Sequence, residues 1–196
     1  MTSGLPAAGP DGLLRCPWSL STPDYLTYHD DEWGRPVHDD TAMFERLCLE
    51  AFQSGLSWLT ILRKRENFRR AFAGFDVAAV AAFGPEDVSR LLNDAGIVRN
   101  RAKIDAAIAN ARVALDLPVG LAELIWQYAS DEASAPVRLE DVPAATKQSK
   151  ALAKELRSRG FRFTGPVTAY ATMQSCGVVN DHLLDCVSRN AAESAP

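Results

Sequence analysis

No apolar run in this 196-residue chain approaches the length of a membrane span, and no charged start leads into a long apolar stretch of the secretory kind. Cysteine is scarce, with four residues, and histidine scarcer, with three. Four cysteines without an export signal point to a reducing cytoplasm rather than a disulfide framework. An excess of positive charge is also missing. The balance is −4, which offers nothing in favour of a nucleic-acid partner. Repeats and low-complexity tracts are absent outside the two ends. What remains is ordinary for a globular chain: 47% hydrophobic and 23% charged residues, with enough length for one domain and a real core. The Gly/Pro/Ala-rich opening MTSGLPAAGPDGLLR reads as a loose tail. Flexible ends are therefore expected at 1–14 and 189–196, around a single helical domain at 15–188.

Charge is unevenly spread. Basic residues gather in RKRENFRR (63–70), RNRAK (99–103) and KQSKALAKELRSRGFR (147–162), acidic ones at 23–40 and 130–142. Each cluster alone reads as a solvated helix face. The basic clusters form one phosphate-facing surface only if the fold joins them.

Helical patterns dominate the rest. DDTAMFERLCLEAFQSG predicts a helix capped by Asp39 or Asp40 and ended at Gly55. SWLTILRKRENFRRAFAGF predicts a second, from Ser57 to Gly74, and FDVAAVAAF a short third capped by Asp76. GPEDVSRLLND places Pro85 in a first helical turn, where its missing N–H costs nothing. NRAKIDAAIANARVALDL keeps Ile104, Ile108, Ala111 and Leu115 at helical spacing. GLAELIWQYAS, KQSKALAKELRSRG, PVTAYATMQSCG and NDHLLDCVSRN read as further helices, FRF as a short extended piece, and 130–146 as the longest irregular stretch. The fold class is all-α.

Four constellations carry chemistry. His182 and Cys186 stand at i, i+4, on one face of the predicted last helix, and Cys16 and His29 stand near the other end. Together they are a Cys2His2 set, the ligand chemistry of a closed structural zinc site, and equally four buried or surface side chains that never meet. Glu50 falls roughly 20° from Met43 on the helical wheel, at the margin of the apolar arc. It is either a boundary residue reaching solvent or a buried carboxylate with a task. DAGIVRNRAKI (94–104) joins two helices through a Gly-containing turn and resembles the helix-hairpin-helix element that grips a DNA strand without reading bases. Trp18, Tyr28, Trp33 and Trp58 crowd the first 58 residues, as core packing or as the flat walls of a pocket for a base or cation.

Taken together, YHDDEWGRPVHDD, LCLEAFQSGLSWLTILRKRENFRRAF, LLNDAGIVRNRAKI and MQSCGVVNDHLLDC resemble the DNA-3-methyladenine glycosylase I family, in the same order, from about Cys16 to Cys186. The resemblance implies a helix-hairpin-helix glycosylase fold, with the hairpin element at about 86–113 and its turn at about Asp94–Arg99. It implies a zinc clasp of Cys16, His29, His182 and Cys186 joining the two ends. Glu50 would be the catalytic carboxylate, meeting the polar edge of 3-methyladenine. Tyr28 and Trp58, with Trp18 beside them, would line and stack on the base. Leu56 would wedge into the duplex, flanked by Gln53 and Gly55, while Gly96, Arg99, Arg101 and Lys103 would meet phosphates.

The implied activity is monofunctional hydrolysis of the N-glycosidic bond in alkylated double-stranded DNA, releasing free 3-methyladenine. A monomer is expected, cytoplasmic and nucleoid-associated when bound to DNA, with structural Zn2+ and no membrane partner. The rival reading is a non-catalytic, zinc-clasped sensor of alkylated DNA. Two departures from the family pattern stand out. Ala102 occupies a position where the family often has glycine, and the ATMQ after Tyr170 differs in its small residues. Asp116 lies near the distance of the catalytic aspartate of other hairpin glycosylases, but the resembled family does without one. Neither Lys103 nor Lys64 is clearly placed as a Schiff-base nucleophile.

Overall fold

A computed structural model describes residues 4–130 and 135–193. Parts of the expected tails (1–3 and 194–196) and of the irregular stretch (131–134) lie outside the described residues.

The opening is more ordered than its composition suggests. Strand β1 (Ala7–Ala8) pairs antiparallel with β2 (Leu14–Arg15). Arg15, buried in the fold, donates to Asp11 at 2.6 and 2.8 Å and to Asp30 at 3.0 and 2.9 Å. One guanidinium therefore pins residues read as tail onto the body. A short 3-10 turn (Pro17–Ser21) then leads to α1 (Pro23–Asp31), a helix the sequence reading passed over. Its signals were present: Thr22 accepts a cap bond from Tyr25 N at 3.2 Å, and Pro23 takes the first turn.

Helix α2 (Asp40–Gln53) starts at Asp39, whose side chain accepts from Ala42 N at 2.8 Å, and packs against α3 (Trp58–Ala71), α6 (Arg101–Leu115), α7 (Leu121–Trp126) and α9 (Pro166–Ser175). Being wrapped on several sides, it buries Met43, Phe44, Leu47, Leu49 and Phe52 together. The same wrapping buries Glu45 and Glu50, which the helical wheel left at the edge. Glu45 is answered by Arg69 at 3.0 Å, while Glu50 has no such partner among the described residues.

Phe52, Phe68, Phe72 and Phe75 form the aromatic centre, with Phe52 and Phe68 centroids 4.8 Å apart. Truncating one of these buried rings to alanine costs about 3–5 kcal/mol. Helix α4 (Val77–Ala81), capped by Asp76, lies on α6. Helix α5 (Pro85–Asn93) and α6 pack as a pair across the turn from Asp94 to Asn100, and Asn100 caps α6.

Helix α8 (Lys147–Ser158) packs on α9, and α10 (Val187–Glu193) ends the described chain. FRF forms no strand, and Phe163 takes a positive φ of 57°. The expected helix through His182 and Cys186 is also corrected: that segment is an irregular turn, and helix begins only at Val187. Its backbone is satisfied otherwise. Leu183 N donates to Cys16 Sγ at 3.4 Å, and the Arg189 guanidinium donates to His182 O at 2.6 Å. Among the described residues no helix is long and apolar enough to cross a membrane.

Candidate functional site

The two ends meet at a buried cluster. His29 is held by α1, Cys16 by the end of the ribbon, and His182 and Cys186 by the C-terminal turn. All four ligand atoms lie within 4.8 Å of one another. His29 Nε2 is 3.2 Å from His182 Nδ1, and Cys186 Sγ is 3.4 and 3.6 Å from these two nitrogens. Cys16 Sγ is 4.0 Å from His182 Nδ1. A tetrahedron with metal bonds of about 2.0–2.3 Å has edges of about 3.3–3.8 Å, so the spacing suits a four-coordinate cation.

The outward ring nitrogens are also engaged. His29 Nδ1 lies 2.8 Å from Asp30, which Arg15 holds in turn, and His182 Nε2 donates to Trp33 O at 3.0 Å. Such partners fix the tautomer that aims the free nitrogen at a metal. Against the cost of burial, Arg15 and His29 hold the Asp30 carboxyl below its ordinary range. A hydrogen bond from Cys16, then bonds from His182 and His29, draw the Cys186 thiol well down, while Cys16 is pushed up. The donor set can therefore hold a metal ion.

One residue before His182, Asp181 opens onto a cavity of about 510 Å³. Tyr28 from α1, Glu50 and Gln53 from α2, and Trp58 from the start of α3 line it, with Trp18 beside them. The Tyr28 and Trp58 rings are 5.4 Å apart and tilted by 47°, and Trp18 meets Tyr25 edge-on at 5.7 Å. Glu50 is 6% exposed, and no described residue donates to its carboxylate. Burial pushes its pKa up to about 8, partly opposed by the Arg46 charge. Arg46 lies over the Tyr28 ring at 5.8 Å and donates to Glu32, which also accepts from Arg65 at 2.5 and 2.7 Å. The indole Nε1 of Trp58 is buried without a partner among the described residues. An acid and an indole N–H without partners, between π faces, suit a flat cationic ligand that carries donors and an acceptor.

Of the ATMQ stretch after Tyr170, Ala171 and Gln174 line the cavity, and Asp181 is a wall residue that the sequence did not single out. Asp181 Oδ2 accepts from Tyr170 OH at 2.5 Å and from Gln174 Nε2 at 2.8 Å. Asp181 was legible only as the neighbour of a candidate ligand, in NDH. A larger cavity of about 750 Å³ lies on the other side of Asp181, against Tyr128, Lys147 and Met173. Among the described residues none of its lining side chains carries an unpartnered buried polar atom, unlike the smaller cavity with its Trp58 N–H.

At the cavity rim, the turn between α2 and α3 presents Leu56, 41% exposed. Gly55 supplies φ 83°, Leu56 N donates to Gln53 O at 2.6 Å, and Ser57 caps α3. Gly96 sits in the α5–α6 turn, where its N–H goes to Asp94 Oδ1 at 2.7 Å. Arg99 and Arg101 are exposed beside it, as is Ala102. Lys103 departs from the expectation of a phosphate contact. It is buried, and its ammonium turns inward to Phe52 O at 2.8 Å and Ser54 O at 2.6 Å. Asp116 is exposed at the end of α6 and does not line the cavity.

The family model for methyladenine glycosylase matches residues 18–189. The chain is 45% identical over 179 residues to DNA-3-methyladenine glycosylase 1 of Escherichia coli (strain K12), covering 89% of this chain and 96% of that protein. It is 42% identical to the DNA-3-methyladenine glycosylase of Haemophilus influenzae, over 88% of this chain and 96% of that one. Among solved structures, a crystal structure of 3-methyladenine DNA glycosylase I superposes with a TM-score of 0.85 at 44% identity, covering 88% of this chain and 98% of the other. A variant of such an enzyme, solved in complex with 3-methyladenine, superposes with a TM-score of 0.84 at 33% identity, covering 89% and 97%.

Proposed function

The chain belongs to the methyladenine glycosylase family, and from that premise we infer that it is a base-excision repair enzyme hydrolysing the N-glycosidic bond of 3-methyladenine in alkylated DNA. The observation that carries this reading to particular residues is the buried, unpartnered Glu50 carboxyl sharing one cavity with Tyr28 and Trp58.

Methylation at N3 gives adenine a positive charge and weakens its bond to the sugar, so the base leaves neutral with little need of acid catalysis. What the protein supplies is extrusion of the nucleotide and a pocket that prefers the charged base. The π faces of Tyr28 and Trp58 each attract a cation by about 0.5–2 kcal/mol. Glu50 accepts from the exocyclic amine, and the incoming charge compensates the burial that otherwise holds this carboxyl protonated. Water then attacks C1′, leaving an abasic site.

On the DNA side, Leu56 wedges into the duplex from its turn, with Gln53 and Gly55 beside it. The α5–turn–α6 unit serves as the helix-hairpin-helix grip, presenting backbone amides near Gly96 and the side chains of Arg99 and Arg101 to phosphates. Residues 15–188 are the glycosylase domain, acting as a monomer in the cytoplasm. Cys16, His29, His182 and Cys186 would hold Zn2+. With four protein ligands such an ion would clasp the fold rather than react.

The reading is tested by chromatography of the bases released from dimethyl-sulfate-treated DNA. Free 3-methyladenine is the expected product, in large excess over 7-methylguanine, because guanine O6 would set an acceptor against Glu50. Comparable release of both bases would overturn the selectivity. Lesion binding without any release would favour the non-catalytic sensor.

A further inference from the structure

Lys103 stands in the first turn of α6, yet its ammonium reaches into the molecule. Burial of a charged amine is costly and pulls its pKa down. The compensation lies at the end of α2, where the helix leaves carbonyls without intrahelical partners and the negative end of its dipole. Lys103 Nζ takes Phe52 O at 2.8 Å and Ser54 O at 2.6 Å, while the intervening Gln53 O is taken by Leu56 N at 2.6 Å. Three consecutive carbonyls are thereby fixed, and with them Gln53 on the cavity wall and Leu56 at the turn's tip.

A second lysine closes a ring. Lys64, on α3, donates to Ala95 O at 3.1 Å and Gly96 O at 3.2 Å, and Asn67 adds a bond to Gly96 O at 3.2 Å. The chain runs from α2 through the Leu56 turn into α3. Lys64 links α3 to the α5–α6 turn, and Lys103 links α6 back to α2.

We propose that Lys103 is a positioning residue that couples the hairpin to the Leu56 turn, so that phosphates gripped by the one set the register of the other against the flipped nucleotide. Lys103 touches neither DNA nor base. The proposal rests on the hairpin and the Leu56 turn being the DNA contacts of the preceding section. It differs from a phosphate contact in what it leaves unchanged. A lost phosphate contact lowers the salt dependence of duplex binding by about 0.9 in log–log slope.

The experiment compares Lys103→Met and Lys103→Arg with the parent in three assays. These are single-turnover excision from methylated duplex, affinity for free 3-methyladenine, and the salt slope of binding to undamaged duplex. Lys103→Met is expected to slow duplex excision between about tenfold and a hundredfold, the cost of a small misplacement. Its free-base affinity and salt slope should stay parental, and Lys103→Arg should recover part of the rate. Unchanged excision, a reduced slope, or free-base affinity falling in step with excision would each overturn the proposal. Should Lys103→Met not fold, Lys64→Met breaks the other link of the ring and is held to the same three results. A parent that releases no base would instead sink the proposed activity, since it is the control in every assay.

Discussion

The Cys/His cluster and the cavity around Glu50 are neighbours, joined at Asp181–His182, and both contain buried polar groups. They treat those groups in opposite ways. In the cluster each outward histidine nitrogen has its partner, and Asp30 and Arg15 complete a further layer. In the cavity the Glu50 carboxyl and the Trp58 N–H have no hydrogen-bond partner among the described residues. A fully satisfied polar group holds a fold in one arrangement, whereas an unsatisfied one stores free energy that a complementary ligand releases. On the proposed reading, two sites a few residues apart in wall structure would do different work, one closing the chain and the other receiving a charged base.

The largest break in this contrast is Cys186→Ser. Removing one ligand of a folding-coupled metal site should cost several kcal/mol, a Tm drop on the order of 10 °C, with metal content lost on the same sample. Metal content equal to the parent would refute the clasp.

Next comes Glu50→Gln, which should act on function and stability with opposite signs. Excision should fall on the order of a hundredfold, because the carboxylate that meets the cationic base is gone. Stability should rise, and in a defined pH window. With its pKa raised from 4.5 to about 8, Glu50 keeps its proton in the fold while the unfolded chain loses it. Stability is therefore lost as pH climbs from about 4.5 to 8, by an amount on the order of a few kcal/mol. The variant should thus match the parent at pH 4.5 in chemical denaturation and exceed it at pH 8. A variant less stable than the parent at pH 8 would mean that Glu50 has a partner after all.

A subtler change, Asp30→Asn, keeps every ligand but removes the charge behind His29. Outer partners of this kind are worth about 10- to 100-fold in metal affinity. Competition with a chelator should reveal that loss while excision by the metal-loaded protein stays near parental. Smallest is Leu56→Ala, where an exposed side chain should leave stability untouched and weaken lesion-dependent duplex affinity by about 1–2 kcal/mol.

Much of this was legible beforehand, for physical reasons that also mark where legibility stopped. Asp39, Ser57 and Asp76 cap the helices that follow them, and local cap chemistry is visible in any sequence. The ligand types at the two ends were visible too, but not the shape of their backbone. Periodicity suggested a helix through His182 and Cys186, whereas the chain bends there to bring its atoms to Cys16 and His29. Lys103 was misplaced for a related reason. Helix α6 is buried on more than one side, so Lys103 and Asn110 turn inward to backbone partners that a one-faced wheel does not foresee. Glu50 shows the same limit from the other side, since only the wrapping of α2 decides that its margin position is interior.

The most direct test of the contrast is an NMR titration of the Glu50 side-chain carboxyl, with carbon-13-labelled glutamate and Glu50→Gln to assign the signal. The account predicts a midpoint near pH 8 in the free protein, moving down when the exocyclic amine of added, neutral 3-methyladenine donates to the ionised carboxylate. An ordinary carboxylate midpoint that the base leaves unmoved would contradict it.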